Sequence, residues 1–166
     1  MQPVYVVFAG VNGAGKSTFY RTGLWRTEDM PRTMARVNSD EIVVAQGGDP
    51  ASSADQLRAG REAVLLIEEC LSRRRSFNQA TTLTGHAVLR NMSRTREAGY
   101  RVVLYYIGVD TAAVALDRIA HRVAVGGHDI DEGAVLRRYR ASLGNLSRAL
   151  DLCDEATILD NTVEFV

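Results

Sequence analysis

Residues 10–18 read GVNGAGKST, and Gly10 through Ser17 fit the spacing G-x-x-x-x-G-K-[ST]. Small residues at this spacing let backbone N–H groups converge on phosphate oxygens at a helix N-terminus, where the helix dipole also favours negative charge. Lys16 is then placed to reach the β and γ phosphates, and the Ser17 hydroxyl to ligate Mg²⁺. Asn12, Gly13, Ala14, Gly15 and Thr18 complete the expected cradle for ATP. The motif leaves open whether the phosphate is moved, hydrolysed or sensed. Two base-specifying and switch sequences of GTPases, N-K-x-D and D-x-x-G, are absent, and the apolar run Val103 to Val109 ends in a lone Asp110 rather than the acidic pair usual in energy-transducing ATPases. A small metabolite kinase fits better than either.

A kinase needs a carboxylate near the acceptor hydroxyl, and the end of a strand beside the phosphate loop is where one belongs. Asp40 in VNSDEI is the leading candidate, with Glu41 as the fallback. The competing reading of Asp40 is a helix cap that accepts backbone N–H groups. Charge building on the transferred group calls for cations from a mobile segment. Arg122, just before AVGGHD, and Arg137 and Arg138 in LRRYR suit this role, with Gly126-Gly127 as a hinge beside them. An exposed helix face is the ordinary alternative for these arginines. Thr81, Thr82 and Thr84 offer hydroxyls to a polar acceptor, although threonine is also a common strand residue.

The elements that must position these residues can be read from periodicity. Val4 to Ala9 is a continuous apolar run that suits a strand buried on both faces of a parallel sheet and delivers the chain to the loop. Further strands are expected at Ala35 to Ser39, Phe77 to Thr82, Arg101 to Val109 and Ala156 to Leu159. Helices are expected from Lys16 to about Trp25, from an Asp40 cap through Gln46, from Ser53 to about Arg75, from His86 to Ala98 and from Thr111 to Val125. A last helix through Leu152 follows a capping box formed by Asp129 and Glu132. Strands alternating with helices give an α/β fold: a three-layer P-loop NTPase-type sandwich around a mostly parallel five-stranded sheet. One domain spans residues 1–166, with a lid region at about 122–138.

A chain of 166 residues suits a single core. Twenty basic residues balance twenty acidic ones, so no global field draws in nucleic acid. Cys70 and Cys153 lie far apart in apolar helical stretches and read as small hydrophobes, not as a metal pair or a disulfide. No apolar run approaches the length of a membrane span, and VYVVFAG is too short for a signal sequence, so the expected setting is cytoplasmic and away from membranes.

Taken together, GVNGAGKST after an apolar strand, VNSDEI, FNQATTLTG, GYRVVLYYIGVD, RVAVGGHDI and LRRYRASL resemble the zeta-toxin family of small P-loop kinases, also called UDP-N-acetylglucosamine kinases. The likeness spans nearly the whole chain. It implies a toxin of a toxin–antitoxin pair that uses ATP and Mg²⁺ to phosphorylate the 3'-hydroxyl of the N-acetylglucosamine unit in UDP-N-acetylglucosamine. It also implies a small helical antitoxin partner. By the same resemblance Lys16 belongs to the ATP loop, Asp40 orients or deprotonates the sugar hydroxyl, and Arg122 and Arg138 are lid cations. Residues Asp40, Ala80, Thr81 and Thr82 would face the acceptor. The sequence departs from the family pattern at Ala80, where the strand reading FNQ should continue with an acidic residue that could hold the sugar or organise the Mg²⁺ shell. Alanine does neither, which implies an impaired kinase, or a module that binds ATP and transfers nothing. Better-studied members carry insertions and C-terminal extensions that build the sugar-nucleotide site, and beside them this sequence is compact. That opens the acceptor to other hydroxylated metabolites.

Overall fold

The structure, a computed structural model, describes residues 2–127 and 129–163. His128, within the lid region expected at about 122–138, lies outside them. The described chain runs β1 (Val4–Ala9), α1 (Lys16–Thr22), β2 (Ala35–Val37), α2 (Ser39–Ala45), α3 (Ser53–Ser72), β3 (Phe77–Thr81), α4 (His86–Glu97), β4 (Arg101–Gly108), α5 (Ala112–Ala124), α6 (Glu132–Leu152) and β5 (Glu155–Asp160). The five strands form one sheet in the order β2-β3-β1-β4-β5, and every neighbouring pair is parallel. All five strands therefore end at the same edge, which is where open α/β sheets place ligands.

The alternation of side chains along β1 divides the core in two. Tyr5, Val7 and Ala9 face one layer, where Ala63 and Ile67 of α3 and Val88, Leu89 and Met92 of α4 pack against them. Val4, Val6 and Phe8 face the other, closed by Phe19, Trp25, Ala115 and Ile119. All six residues of β1 are buried, as a strand at the centre of a parallel sheet requires. No helix among the described residues is long and apolar enough to cross a membrane.

Several expected boundaries move for identifiable reasons. Helix α1 stops at Thr22 because Gly23 takes a left-handed φ of 72°; Trp25 lies beyond it, buried, with its indole N–H donating to the Tyr20 carbonyl at 2.9 Å. Helix α3 ends at Ser72, and Arg74, with φ 50°, turns the chain toward β3. The cap of α2 is Asn38, not Asp40: the Asn38 Oδ1 accepts the Asp40 N–H at 3.1 Å. The cap of α6 is Asp131, which accepts the Ala134 N–H at 2.7 Å, and not Asp129. Cys70 is fully buried, whereas Cys153 is only half-buried, and both are free thiols.

Candidate active site

The phosphate loop joins β1 to α1 at the centre of the sheet edge. Its first glycine N–H donates to the Thr81 carbonyl at 3.2 Å, which ties the loop to the end of β3. Gly10 and Gly13 cannot carry a side chain here. A Cβ on Gly10 would collide with the Ile107 carbonyl, and one on Gly13, at φ 79°, would sit 2.5 Å from the Ala115 carbonyl oxygen. Ala14 is different from the rest of the expected cradle. Its side chain is fully buried in the core, its N–H donates to Val11, and it does not line the open face of the loop.

Around the loop opens a cavity of about 1450 Å³, lined by Asn12, Gly13, Gly15, Lys16, Ser17 and Thr18. Strand order decides which residues face it from each side. From the β2 side comes Asp40, in the first turn of α2; from β3 come Ala80 and Thr81, with Thr82 just after it; from α5 and α6 come Arg122 and Arg138. The Asp40 carboxylate accepts a hydrogen bond from Gln56 Nε2 of α3 at 3.1 Å. Glu41 is absent from the lining, because both of its oxygens are engaged by Arg36, with Arg36 Nη2 at 2.9 Å. The pair of carboxylates in VNSDEI is thus divided into one that faces the cavity and one that holds the frame.

The two candidate arginines of α6 are likewise distinguished. Arg138 Nη1 donates to Asn12 Oδ1 at 2.9 Å, on the phosphate loop itself. Arg137 is 76% exposed and lies 3.9 Å from Asp131, away from the cavity. Asp110 is exposed, and its carbonyl accepts the Tyr139 hydroxyl at 2.6 Å, pinning α6 to the end of β4.

Lys16 donates to the Gly10 carbonyl at 2.6 Å and the Val11 carbonyl at 3.0 Å. Burial lowers its pKa from 10.5 to about 8; Asp40 opposes the fall, and Arg122 and Arg138 add to it. Lys16 therefore feels the other three side chains across the cavity, an arrangement that a phosphoryl group with oxygens on several sides would satisfy.

The β3 side of the cavity contains a strained turn. Leu83 is fully buried with φ 58°, a conformation costly for a side chain of its shape. Its N–H donates to Thr81 Oγ1 and its carbonyl accepts Asn145 Nδ2 of α6, each at 3.0 Å. Thr81 Oγ1 is thereby used by the turn. The hydroxyls of Thr82 and Thr84 lie 3.0 Å apart, and both residues line the cavity.

Two cavity residues on the β5 side escaped the sequence reading. Asn161 follows β5 and donates through Nδ2 to the Ala14 carbonyl at 2.8 Å, while its Oδ1 is buried without a partner among the described residues. Arg118 of α5 donates to the Thr162 carbonyl at 3.3 Å, and its Nη1 is likewise buried without a partner among the described residues. Buried polar atoms left in this state mark places where a ligand can complete the bonding.

Comparison with known proteins adds a family. Residues 6–146 match the family described as AAA domain. A Haemophilus influenzae protein described as uncharacterized is 32% identical over 139 residues, covering 84% of this chain and 94% of its own. Among solved structures, a chain of the Pnkp1/Rnl/Hen1 RNA repair complex superposes with a TM-score of 0.68 at 22% identity, covering 89% of this chain. This chain spans only 46% of that one. The PezAT chromosomal toxin–antitoxin system of Streptococcus pneumoniae gives a TM-score of 0.67 at 16% identity, covering 96% of this chain and 68% of the other. At these identities the structural likenesses establish the P-loop kinase-like fold and nothing finer.

Proposed function

This chain belongs to the AAA domain family, and from that premise we propose that it is an ATP-dependent phosphotransferase acting on a hydroxyl of a small-molecule acceptor. The observation that carries the reading is one cavity faced by Lys16 and Ser17 from the loop, Asp40 from the β2 side, and Arg122 and Arg138 from the lid. The nucleoside would lie toward β5, where Arg118 and Asn161 hold unpartnered polar atoms. The acceptor would lie toward β2 and β3, beside Asp40, Thr82 and Thr84.

Asp40 orients the acceptor hydroxyl and takes its proton as the oxygen attacks the γ-phosphorus. The new O–P bond forms as the bond between the γ-phosphorus and the β–γ bridging oxygen breaks, and that electron pair leaves on ADP. Lys16, Arg122 and Arg138 hold the phosphoryl oxygens while charge shifts among them. The Ser17 hydroxyl is a hard oxygen donor in the cavity and would hold Mg²⁺. Bound there, the ion would neutralise charge on the β and γ phosphates.

The zeta-toxin resemblance makes UDP-N-acetylglucosamine the first acceptor to test and a small helical antitoxin the partner to seek. Likeness in fold to the streptococcal toxin–antitoxin system supports that order of search. A second reading, an ATP-binding module without transfer, is favoured by Ala80, which faces the cavity from β3 where the resemblance calls for an acid. Incubation of the natural chain and of Ala80→Glu with ATP, Mg²⁺ and a panel of sugar nucleotides, sugars and nucleosides separates the two by mass spectrometry. A phosphorylated acceptor is expected. ATP binding with no transfer by either form would establish the module instead.

A further inference from the structure

We propose that Arg36 is a positioning residue that sets Asp40 against the phosphate loop. The inference rests on the reading of Asp40 as the carboxylate that orients the acceptor. Arg36 lies in β2, and its side chain is only 16% exposed. Its guanidinium touches three elements at once. Nε and Nη2 grip the Glu41 carboxylate of α2, with bonds of 3.2 and 2.9 Å. Nη1 donates to Asn78 Oδ1 of β3 at 2.9 Å. The guanidinium carbon lies 3.8 Å from the ring centroid of Tyr20 in α1.

From Glu41 the chain of contacts leads directly to Asp40. Glu41 Oε1 also accepts Asn38 Nδ2 at 2.8 Å, which fixes the amide so that Asn38 Oδ1 receives the Asp40 N–H. The cap of α2 is therefore held from outside the helix. A helix of seven residues has too few internal bonds to keep its own orientation. One guanidinium supplies it, relative to the helix that bears Lys16 and the strand that bears Ala80. The planar fork explains the residue type, since a lysine cannot form a two-point grip on a carboxylate and stack on a ring simultaneously. Asn78, 1% exposed, completes the lock, and among the described residues its oxygen has no other side-chain partner.

The experiment is a double-mutant cycle. ADP formation from Mg-ATP is followed with UDP-N-acetylglucosamine as the supplied acceptor, for the natural chain, Arg36→Met, Asp40→Asn and the double variant. Arg36→Met is expected to lower kcat about tenfold to a hundredfold, the cost of displacing a catalytic group by about 1 Å, with the KM for ATP unchanged. Arg36→Lys should recover little. In the Asp40→Asn background Arg36→Met should change kcat by less than about twofold, because the group it positions is already gone. Equal losses in both backgrounds would overturn the proposal and leave Arg36 a packing residue. Full activity of Asp40→Asn would remove the reading of Asp40 itself, and the proposal with it. Hydrogen exchange provides a readout independent of turnover and of the acceptor. Arg36→Met, or Asn38→Ala should the first variant unfold, is expected to speed exchange at residues 39–42 while β1 and the loop stay protected. Unchanged exchange at 39–42 would also overturn the proposal.

Discussion

Lys16 carries the most quantitative prediction. Its ammonium is held by two carbonyls of its own loop, and burial brings its pKa to about 8. Above that pH the nucleotide-free loop loses the proton that a triphosphate needs to find there. Bound phosphate oxygens would draw the pKa back toward its ordinary range, so binding must take up a proton. With a free-state pKa of about 8, uptake should be about 0.1 proton at pH 7, about 0.5 at pH 8 and about 0.9 at pH 9. The same linkage weakens ATP binding about tenfold between pH 7 and pH 9, or ~1.4 kcal/mol. This window lies above the titration of a terminal phosphate near pH 6, so the nucleotide itself contributes little. Calorimetry in buffers of different ionisation enthalpy reads the uptake directly. Lys16→Arg stays charged throughout and should bind ATP with a flat profile. An unchanged Kd from pH 7 to pH 9 in the natural chain, or equal slopes in both proteins, would refute the reasoning.

Other expectations follow from single residues. Asp40→Asn should lower phosphoryl transfer by roughly 10²–10⁴-fold, the range for a lost general base, with ATP affinity measured by calorimetry nearly unchanged. Gly13→Ala places a Cβ 2.5 Å from the Ala115 carbonyl at φ 79°; it should cost about 1–3 kcal/mol of stability in denaturant melts and weaken nucleotide binding. Ala80→Glu should raise transfer to the true acceptor by roughly tenfold, ~1.4 kcal/mol of transition-state stabilisation, in a steady-state assay of ADP formation.

Strand β1 and the phosphate loop were legible because local chemistry alone defines them: an apolar run of β-branched residues, then glycines wherever a side chain would strike another element. The parallel five-stranded sheet followed from alternation of periods. What the sequence could not show is which of two adjacent groups faces inward. Asp40 and Glu41 differ only through Arg36, and Arg137 and Arg138 only through the reach of one to Asn12. The helix caps failed by two residues for the same reason. Asp40 and Asp129 are good capping types, but Asn38 and Asp131 are the residues whose side-chain oxygens meet the free N–H groups. Arg118 and Asn161 were missed because their role depends on β5 lying two strands from β1, a fact of topology with no local signature.

The central claim is that Asp40 faces the γ position of a nucleotide held by the loop. A crystal structure with a non-hydrolysable ATP analogue and Mg²⁺ tests it most directly. The claim requires the triphosphate on Lys16 and Ser17, with the Asp40 carboxylate across the cavity at the distance of one intervening hydroxyl from the γ-phosphorus. An Asp40 side chain turned into bulk solvent, or a nucleotide bound elsewhere on the sheet edge, would contradict it.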